Sequence, residues 1–307
     1  MELMGTGTAL ITPFRADGSV DESALHALVH WQIESGISFL VPCGSTGEAS
    51  TLSEEETVAV VTMVAATAAG RVPVIAGCTH NSTAEAVRRV ERLSQIRGLD
   101  GILTANPYYS KPSQEGQYQH FKAIAEASNL PVLLYNIPGR TAANLEPSTV
   151  LRLAELKNII GIKESSGNLL QITELLTRAP RTFRVFSGDD GFALPTLAVG
   201  ASGLISVASN VIPEPVTHMV ASALQNDWPT ARRINRQFFG FMQALFLEPN
   251  PAPAKAVLSL MGKIDGDYLR LPMTPVTFAL RRRLETIVGE LGLLVEAPQG
   301  SDPHRMY

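Results

Sequence analysis

The sequence predicts an α/β fold, a (β/α)8 barrel of the TIM type followed by a C-terminal helical extension. Short apolar runs alternate with helical patterns eight times over roughly 210 residues, a length typical of such a barrel. The runs are apolar throughout, as in parallel strands that helices cover on both faces. From residue 213 onward the periodicity is helical only. We therefore assign residues 1–212 to the barrel and residues 213–307 to the extension, which we expect to pack on it.

Each predicted strand is an apolar run that ends at Gly, Pro or polar residues. In chain order the strands are 8–14, 37–43, 72–78, 101–107, 131–137, 159–164, 183–188 and 203–209. The predicted helices between them include 22–34, 54–69, 84–96, 114–127 and 147–156. Ser53 with Glu56 has capping-box spacing, and Ser113 and Ser148 stand at similar helix starts. The extension is predicted to be helical from 213 to 294, with a break at 249–253.

Composition excludes several classes of function. The chain has 307 residues, is 45% hydrophobic and carries a net charge of −4 without blocks of like charge. Nucleic acid and anionic membranes are therefore poor candidate partners. Two cysteines, Cys43 and Cys78, do not make a disulfide framework. The N-terminus lacks the pattern of a secretory signal and no apolar run reaches the length of a membrane span, so we expect a cytoplasmic protein.

A doubly wound open sheet is the alternative fold. Such a sheet binds its ligand at a crevice that usually carries a glycine-rich motif. The sequence has neither G-x-G-x-x-G after a strand nor G-x-x-x-x-G-K-[ST]. The barrel is therefore the preferred interpretation.

Polar residues are concentrated where the predicted strands end. In a barrel of this type these ends form the face that carries the active site. The polar strand ends are Gly44-Ser45-Thr46-Gly47-Glu48, Asn106-Pro107-Tyr108-Tyr109, Tyr135-Asn136, Gly139-Arg140-Thr141, Lys163-Glu164, and Ser187-Gly188-Asp189-Asp190.

Lys163 lies near the end of the apolar sixth strand. Strand alternation predicts that Gly161 and Lys163 face one way and Ile160 and Ile162 the other. Tyr135 is the fifth residue of its strand and Lys163 the fifth of the next, so we expect both to face inward at similar depth. Burial lowers the pKa of a lysine, and a neutral amine forms Schiff bases with carbonyl substrates. The alternative for this segment alone is a solvent-exposed lysine at a strand end.

Two features of the strand ends are suited to carboxylates. The Gly44–Gly47 turn offers two hydroxyls, on Ser45 and Thr46, and backbone N–H groups near a helix start. Arg140 adds a guanidinium that can hold a second carboxylate with two hydrogen bonds. Each feature alone could be an ordinary turn or a surface arginine. Their shared position on one face favours a site.

Together these residues resemble the dihydrodipicolinate synthase / N-acetylneuraminate lyase family of pyruvate-dependent class I aldolases. The resemblance runs along the whole chain. The motifs that carry it are G-S-T-G-E at 44–48, Y-N-I-P-G-R-T at 135–141, G-I-K-E-S-S-G-N at 161–168 and S-G-D-D at 187–190.

The resemblance implies a role for each matching residue. Lys163 would form the imine with pyruvate, and Tyr135, Thr46 and Tyr109 would relay protons. Ser45 and Thr46 would hold the pyruvate carboxylate, while Gly188 and Ile205 would contribute backbone carbonyls. Tyr109 would reach the site of a neighbouring subunit, which implies a homotetramer built from tight dimers. No metal or cofactor is implied, because the imine itself is the electron sink.

Arg140 favours the synthase branch of the family, in which an arginine of this loop binds the carboxylate of aspartate semialdehyde. The expected reaction is condensation of pyruvate with L-aspartate 4-semialdehyde to 4-hydroxy-tetrahydrodipicolinate, in lysine and diaminopimelate biosynthesis. A family member acting on another aldehyde or a sugar acid, such as an N-acetylneuraminate lyase, is the main alternative. Two others are a barrel enzyme with a phosphate site and a non-catalytic scaffold.

The resemblance also implies a regulatory site at the dimer interface. Its lining would include Ser50, Asn81, Glu85 and Tyr108. Glu54 and Thr57 stand where some lysine-sensitive members have histidines, so we expect inhibition by lysine to be weak or absent.

Overall fold

In the computed structural model, which describes residues 3–294, eight parallel strands form one sheet. Their bounds are β1 (Gly5–Ala9), β2 (Phe39–Val41), β3 (Ile75–Gly77), β4 (Gly101–Ala105), β5 (Val132–Asn136), β6 (Ile159–Glu164), β7 (Arg184–Ser187) and β8 (Gly203–Ser206). Continuous ladders join them in the order β2-β1-β8-β7-β6-β5-β4-β3. Between β2 and β3 the circle is completed by a parallel bridge from Leu40 to Val74 and by the bond from the Gly77 N–H to the Pro42 carbonyl, at 2.8 Å. The sheet is therefore a closed (β/α)8 barrel, as predicted.

Helices cover the outside of the barrel and continue beyond it. Those that follow the barrel strands are α1 (Glu22–Glu34), α2 (Glu54–Ala68), α3 (Thr83–Leu93), α4 (Gln114–Ala127), α5 (Pro138–Thr141), α6 (Pro147–Leu153), α7 (Leu169–Arg178) and α8 (Ala193–Ala198). A 3-10 turn at Ala208–Asn210 leads into α9 (Pro213–Leu224), α10 (Trp228–Ala244), α11 (Ala252–Leu260) and α12 (Phe278–Glu290). The structure confirms that helices continue past residue 213. The break before α11 is at 245–251 and overlaps the predicted 249–253, but the non-helical segment at 261–277 was not predicted.

The helix caps were predicted correctly at two of three positions. Ser53 accepts a hydrogen bond from the Glu56 N–H while the Glu56 carboxylate accepts one from the Ser53 N–H, a complete capping box. Ser113 caps α4 through the Gly116 N–H. The prediction that Ser148 stands at a helix start as its cap was wrong, because α6 begins with Pro147 and its N-cap is Glu146. This helix begins without a side-chain cap, and the Thr149 N–H donates instead to the Glu146 carbonyl at 2.9 Å.

Most strands are shorter than the apolar runs that predicted them. The first run was placed at 8–14, but β1 is Gly5–Ala9, and Phe14 instead forms an antiparallel bridge with Val20. Apolar runs report burial, and the segments that leave a barrel strand are buried as well. Leu10, Ile11 and Phe14 are each less than 4% exposed although they lie beyond β1.

The predicted alternation in β6 was also wrong in one detail. Ile162 packs among the residues between barrel and helices, whereas Ile160 packs against the residues inside the barrel. The register between β5 and β6 shifts at this point, since Val132 pairs with Ile159 and Leu133 with Gly161. This bulge places an extra residue in β6, so the two isoleucines point to opposite faces.

The core has three parts that the closed barrel separates. One lies between the strands and the helices of the first seven units, and a second lies inside the barrel around Phe39, Phe186 and Tyr135. The third joins α8 and β8 to the four helices of the extension. The extension therefore packs on the barrel through a continuous apolar interface. Within residues 3–294, no helix is long and apolar enough to cross a membrane.

Candidate active site

A cavity of about 440 Å³ opens at the carboxyl ends of the strands. Its lining includes five residues that the sequence singled out as site residues: Ser45, Thr46, Tyr135, Arg140 and Lys163. They come from the ends of β2, β5 and β6, which are far apart in the sequence. The barrel thus brings the predicted imine-forming lysine, one proton-relay tyrosine and both candidate carboxylate groups to one cavity.

Lys163 is buried inside the barrel and has no counter-ion among residues 3–294. Its side chain is 4% exposed, and Nζ lies 4.4 Å from the centroid of the Tyr135 ring. No carboxylate of residues 3–294 lies within 4.0 Å of Nζ. Lysines are rarely buried without an ion pair, so the position of Lys163 in the cavity lining points to a chemical role.

Tyr135 and Lys163 are direct neighbours across the β5–β6 ladder, which agrees with the similar depth and inward direction predicted for them. The next pair in the ladder, Asn136 with Glu164, faces away from the barrel interior and carries a different set of contacts. The Asn136 amide donates to both Glu164 oxygens, at 3.2 and 3.1 Å. These bonds fix the two strand ends together beside the catalytic candidates.

Glu164 is adjacent to Lys163 in sequence but is not its partner. Its carboxylate accepts hydrogen bonds from the Ser166 N–H at 2.7 Å and from the Gln171 amide at 3.2 Å. Burial raises the pKa of Glu164, while these hydrogen bonds oppose the rise. The strand pleat directs Lys163 into the cavity and Glu164 into this separate polar cluster.

The Gly44–Glu48 turn, which includes the predicted Gly44–Gly47 turn, offers both hydroxyls and free backbone donors. Its own hydrogen bonds use the N–H groups of Gly47, Glu48 and Ala49, and the N–H groups of Ser45 and Thr46 have no partner in the described part of the chain. Such N–H groups next to hydroxyls suit a carboxylate. The Thr46 hydroxyl is buried and accepts a hydrogen bond from the Asn250 amide at 2.9 Å.

Arg140 lies in the short helix α5 at the mouth of the cavity. It is exposed, and its Nη2 donates a long hydrogen bond of 3.4 Å to the Asn250 carbonyl. Most of its donor capacity therefore remains available. The guanidinium is placed where a second, anionic substrate would enter.

Gly188 lies against the stem of Lys163. A Cβ at this position would be 2.0 Å from Ser165 Oγ and 2.8 Å from Lys163 Cε, so only glycine leaves room for the lysine. Ile205 is fully buried in β8, opposite Gly7 of β1. Neither residue is part of the cavity lining, and the carbonyl contacts predicted for them stay a prediction.

Known proteins are similar to this chain over nearly its whole length. The sequence profile described as the dihydrodipicolinate synthetase family matches residues 2–291. The chain belongs to this family. A 4-hydroxy-tetrahydrodipicolinate synthase of Acidobacterium capsulatum is 60% identical over 299 residues, which cover 97% of this chain and 99% of that protein. One of Koribacter versatilis is 56% identical over 297 residues, with 97% and 99% covered.

Solved structures of the family superpose closely on this fold. A dihydrodipicolinate synthase of Aquifex aeolicus has a TM-score of 0.93 and 38% identity, covering 96% of this chain and 100% of that one. A chloride-inhibited enzyme of Acinetobacter baumannii, solved with pyruvate, has a TM-score of 0.92 and 41% identity, covering 95% and 99%.

Within this dihydrodipicolinate synthetase family fold, Tyr109 stands apart from the cavity. Its side chain is 89% exposed and its backbone has φ of 75°, a left-handed conformation that bulky residues rarely adopt. The preceding Tyr108 does line the cavity. Strained backbone of this kind is typical of functional positions, but within one chain Tyr109 cannot act on the cavity.

Of the four residues predicted to line a regulatory site, two line the cavity and two do not. Ser50 and Tyr108 line one end of the same cavity, next to His80 and Arg89. Glu85 instead forms an ion pair of 2.7 Å with Arg88, and Asn81 is half-buried outside the lining. Glu54 is held by Arg88 at 2.7 Å and by Arg92 at 3.0 Å.

Sequence reasoning missed Asn250 as a site residue. It belongs to a proline-flanked segment between α10 and α11, 204 residues away from the Thr46 that it contacts. The break at 249–253 was visible in the sequence, but nothing in it indicated which strand end the segment would reach. Glu48 was named in the turn motif, but its buried ion pair with Lys255 was not predicted, for the same reason.

Proposed function

We propose that this protein is a class I aldolase, a lyase that condenses pyruvate with L-aspartate 4-semialdehyde to give 4-hydroxy-tetrahydrodipicolinate. The observation that carries the proposal is Lys163, a buried amine without a counter-ion in a cavity that also contains hydroxyls and a guanidinium. The relatives that match over nearly the whole chain bear the name of this synthase. The reaction serves lysine and diaminopimelate biosynthesis.

The first half of the reaction captures pyruvate. The Lys163 amine attacks the keto carbon, and loss of one water leaves an imine whose carboxylate is held by the hydroxyls and N–H groups of Ser45 and Thr46. Loss of a methyl proton converts the imine to an enamine, with the imine nitrogen as the electron sink. Tyr135, next to Nζ, and Thr46 carry the protons. We assign the carbonyls of Gly188, which lies against the Lys163 stem, and Ile205 to contacts with the pyruvate adduct.

The second half joins the aldehyde. The enamine carbon attacks the aldehyde carbon, and the resulting alkoxide takes a proton through the Tyr135, Thr46 and Tyr109 relay. The amino group of the bound adduct then displaces Lys163 from the imine carbon, which closes the ring and restores the free lysine. Arg140 holds the carboxylate of the semialdehyde during these steps. No metal or other cofactor is required, because the lysine imine supplies the electron sink.

The assembly consistent with this mechanism is a homotetramer of tight dimers. Tyr109 is too exposed to serve its own cavity, whereas a neighbouring subunit at this surface would receive it and cover it. We place the enzyme in the cytoplasm, with small-molecule substrates as its partners.

The direct test is pyruvate consumption with L-aspartate 4-semialdehyde, coupled to the reductase that uses the product. We expect kcat/KM of about 10⁴ M⁻¹s⁻¹ or more, within the ordinary enzyme range. A panel of sugar-derived aldehydes and N-acetylmannosamine serves as the comparison. If one of these were used far better than the semialdehyde, the enzyme would be a family member with another substrate.

Arg140→Ala is expected to affect the second substrate and spare the first. Losing a charge-assisted contact to the semialdehyde carboxylate should lower kcat/KM for that substrate by roughly 10- to 100-fold. Pyruvate capture on Lys163, measured by borohydride trapping, should be unchanged. Loss of trapping in this variant would contradict the role given to Arg140.

Inhibition by lysine is expected to be weak or absent. Glu54, at a position occupied by histidine in some sensitive members, is already engaged by two arginines. A dihydrodipicolinate synthase of Cyanidioschyzon merolae with lysine bound has a similar fold, with a TM-score of 0.91. A rate titration with L-lysine checks the expectation, and clear inhibition below about 1 mM, a binding free energy of about −4 kcal/mol, would reject it.

A further inference from the structure

Lys255 is a second lysine buried at the candidate active site, and unlike Lys163 it is paired. It lies on α11 of the extension, and its Nζ is 2.5 Å from Glu48 Oε1, with the two side chains 0% and 1% exposed. The ammonium also donates to the Tyr268 carbonyl at 2.9 Å and lies 4.1 Å from the centroid of the Phe14 ring. This contact joins the extension to the barrel beneath the Gly44–Glu48 turn.

Glu48 is the last residue of that turn and has a strained backbone. Its φ is 53°, in the left-handed region that few non-glycine residues adopt. Such a conformation persists only where the surroundings over-determine it. Its second oxygen accepts a hydrogen bond from the Arg270 N–H at 3.2 Å, so both carboxylate oxygens contact the extension.

Arg270 is itself tied to the barrel. Its guanidinium forms an ion pair of 2.5 Å with Glu56 of α2 and donates to the Thr51 and Gly18 carbonyls. The Arg270 side chain thus holds the loop that contacts Glu48 in a fixed place. The turn is held from below by two residues of the extension, Lys255 and Arg270.

The ion pair between Lys255 and Glu48 is expected to add little to the free energy of unfolding. Burial lowers the pKa of Lys255 to about 8, because loss of water outweighs the attraction of the Glu48 carboxylate. Buried pairs of this kind are often replaceable by apolar residues without loss of stability. The pair instead fixes the position of the turn. Thr46, two residues before Glu48, receives the Asn250 amide from the same extension.

We propose that Lys255, acting through Glu48, is a positioning residue that fixes the turn so that Ser45 and Thr46 can receive the carboxylate of pyruvate. This inference rests on the proposed function, in which the turn binds pyruvate. Lys255 is not part of the cavity lining. Glu48 borders the cavity, but it is only 3% exposed and its carboxylate is engaged by Lys255 and by the Arg270 N–H. The extension thus contributes to pyruvate affinity without supplying a reacting group.

The test uses three variants of the full chain, Lys255→Met, Glu48→Gln and the double variant. For each, we measure Tm and the pyruvate concentration that gives half-maximal borohydride trapping on Lys163. Each single variant leaves a buried group unpaired and should lower Tm by about 5 °C or more. The double variant removes both charges and should recover most of that loss.

The proposal is decided by pyruvate affinity in the double variant. If the pair positions the turn, the half-saturating pyruvate concentration should stay raised by roughly tenfold or more even where Tm has recovered, since small displacements of binding groups are costly. If the affinity recovers together with Tm, the pair serves only the fold and the proposal is overturned.

Leu284→Ala is the matched control. Leu284 is fully buried in α12 of the extension, far along the chain from the turn, and its truncation should lower Tm while leaving pyruvate affinity unchanged. The wild-type protein separates the two hypotheses. Absence of a trapped pyruvate in wild type would reject the proposed function, whereas trapping in wild type with unchanged affinity in all variants would reject only the positioning role.

Discussion

Lys163→Ala is expected to abolish turnover without unfolding the protein. The change removes the nucleophile, so kcat/KM should fall by at least about 10⁴-fold. It also removes a buried polar group that has no ion pair among the described residues, so we expect Tm to stay near or above the wild-type value. Coupled turnover and thermal unfolding measure the two effects.

Trapping defines the chemistry behind that loss. Sodium borohydride with pyruvate should fix one pyruvate-derived adduct per wild-type chain, on Lys163, and none on the Ala variant. Lys157→Ala is the control, since Lys157 is an exposed lysine ahead of the same strand and its loss should change turnover by less than about twofold. An adduct on any other lysine, or none in wild type, would remove the class I assignment.

Tyr135→Phe is expected to have the second largest effect. The phenyl ring can keep its place beside Lys163 Nζ, whereas the phenol that relays protons is lost. We expect kcat to fall by roughly 10²- to 10⁴-fold, the usual contribution of general acid–base catalysis. Steady-state kinetics with both substrates measures the change.

Pyruvate trapping distinguishes proton relay from lysine positioning. In Tyr135→Phe the adduct on Lys163 should still form, more slowly, because the amine and its surroundings remain. Tyr118→Phe is the control, since Tyr118 lies on α4 beneath the Arg152 guanidinium, outside the barrel. Wild-type kcat in Tyr135→Phe would show that another group carries the proton.

The sequence by itself determined the barrel and the pair at its centre. Alternation of continuous apolar runs with helical patterns predicted eight parallel strands, because each such run must be covered on both faces. Equal positions of Tyr135 and Lys163 in the predicted strands indicated that both face inward at similar depth, and in the structure they pair in the ladder. These features depend on periodicity over a few residues, which can be read from short segments of the sequence.

Local signals were less informative about where strands end. The run at 8–14 was taken as the first strand although β1 is Gly5–Ala9, because buried residues continue past the strand into the next segment. The bulge at Ile160 was likewise invisible. A register shift is set by how β5 meets β6, and no single strand encodes it.

Only the tertiary structure decided what surrounds the Gly44–Glu48 turn. Asn250 reaches Thr46 across 204 residues, and Lys255 reaches Glu48 across a similar separation. Both contacts depend on the packing of the extension against β8 and α8. Such contacts depend on the relative placement of distant segments, so periodicity and motif spacing, which act over one element, could not predict them.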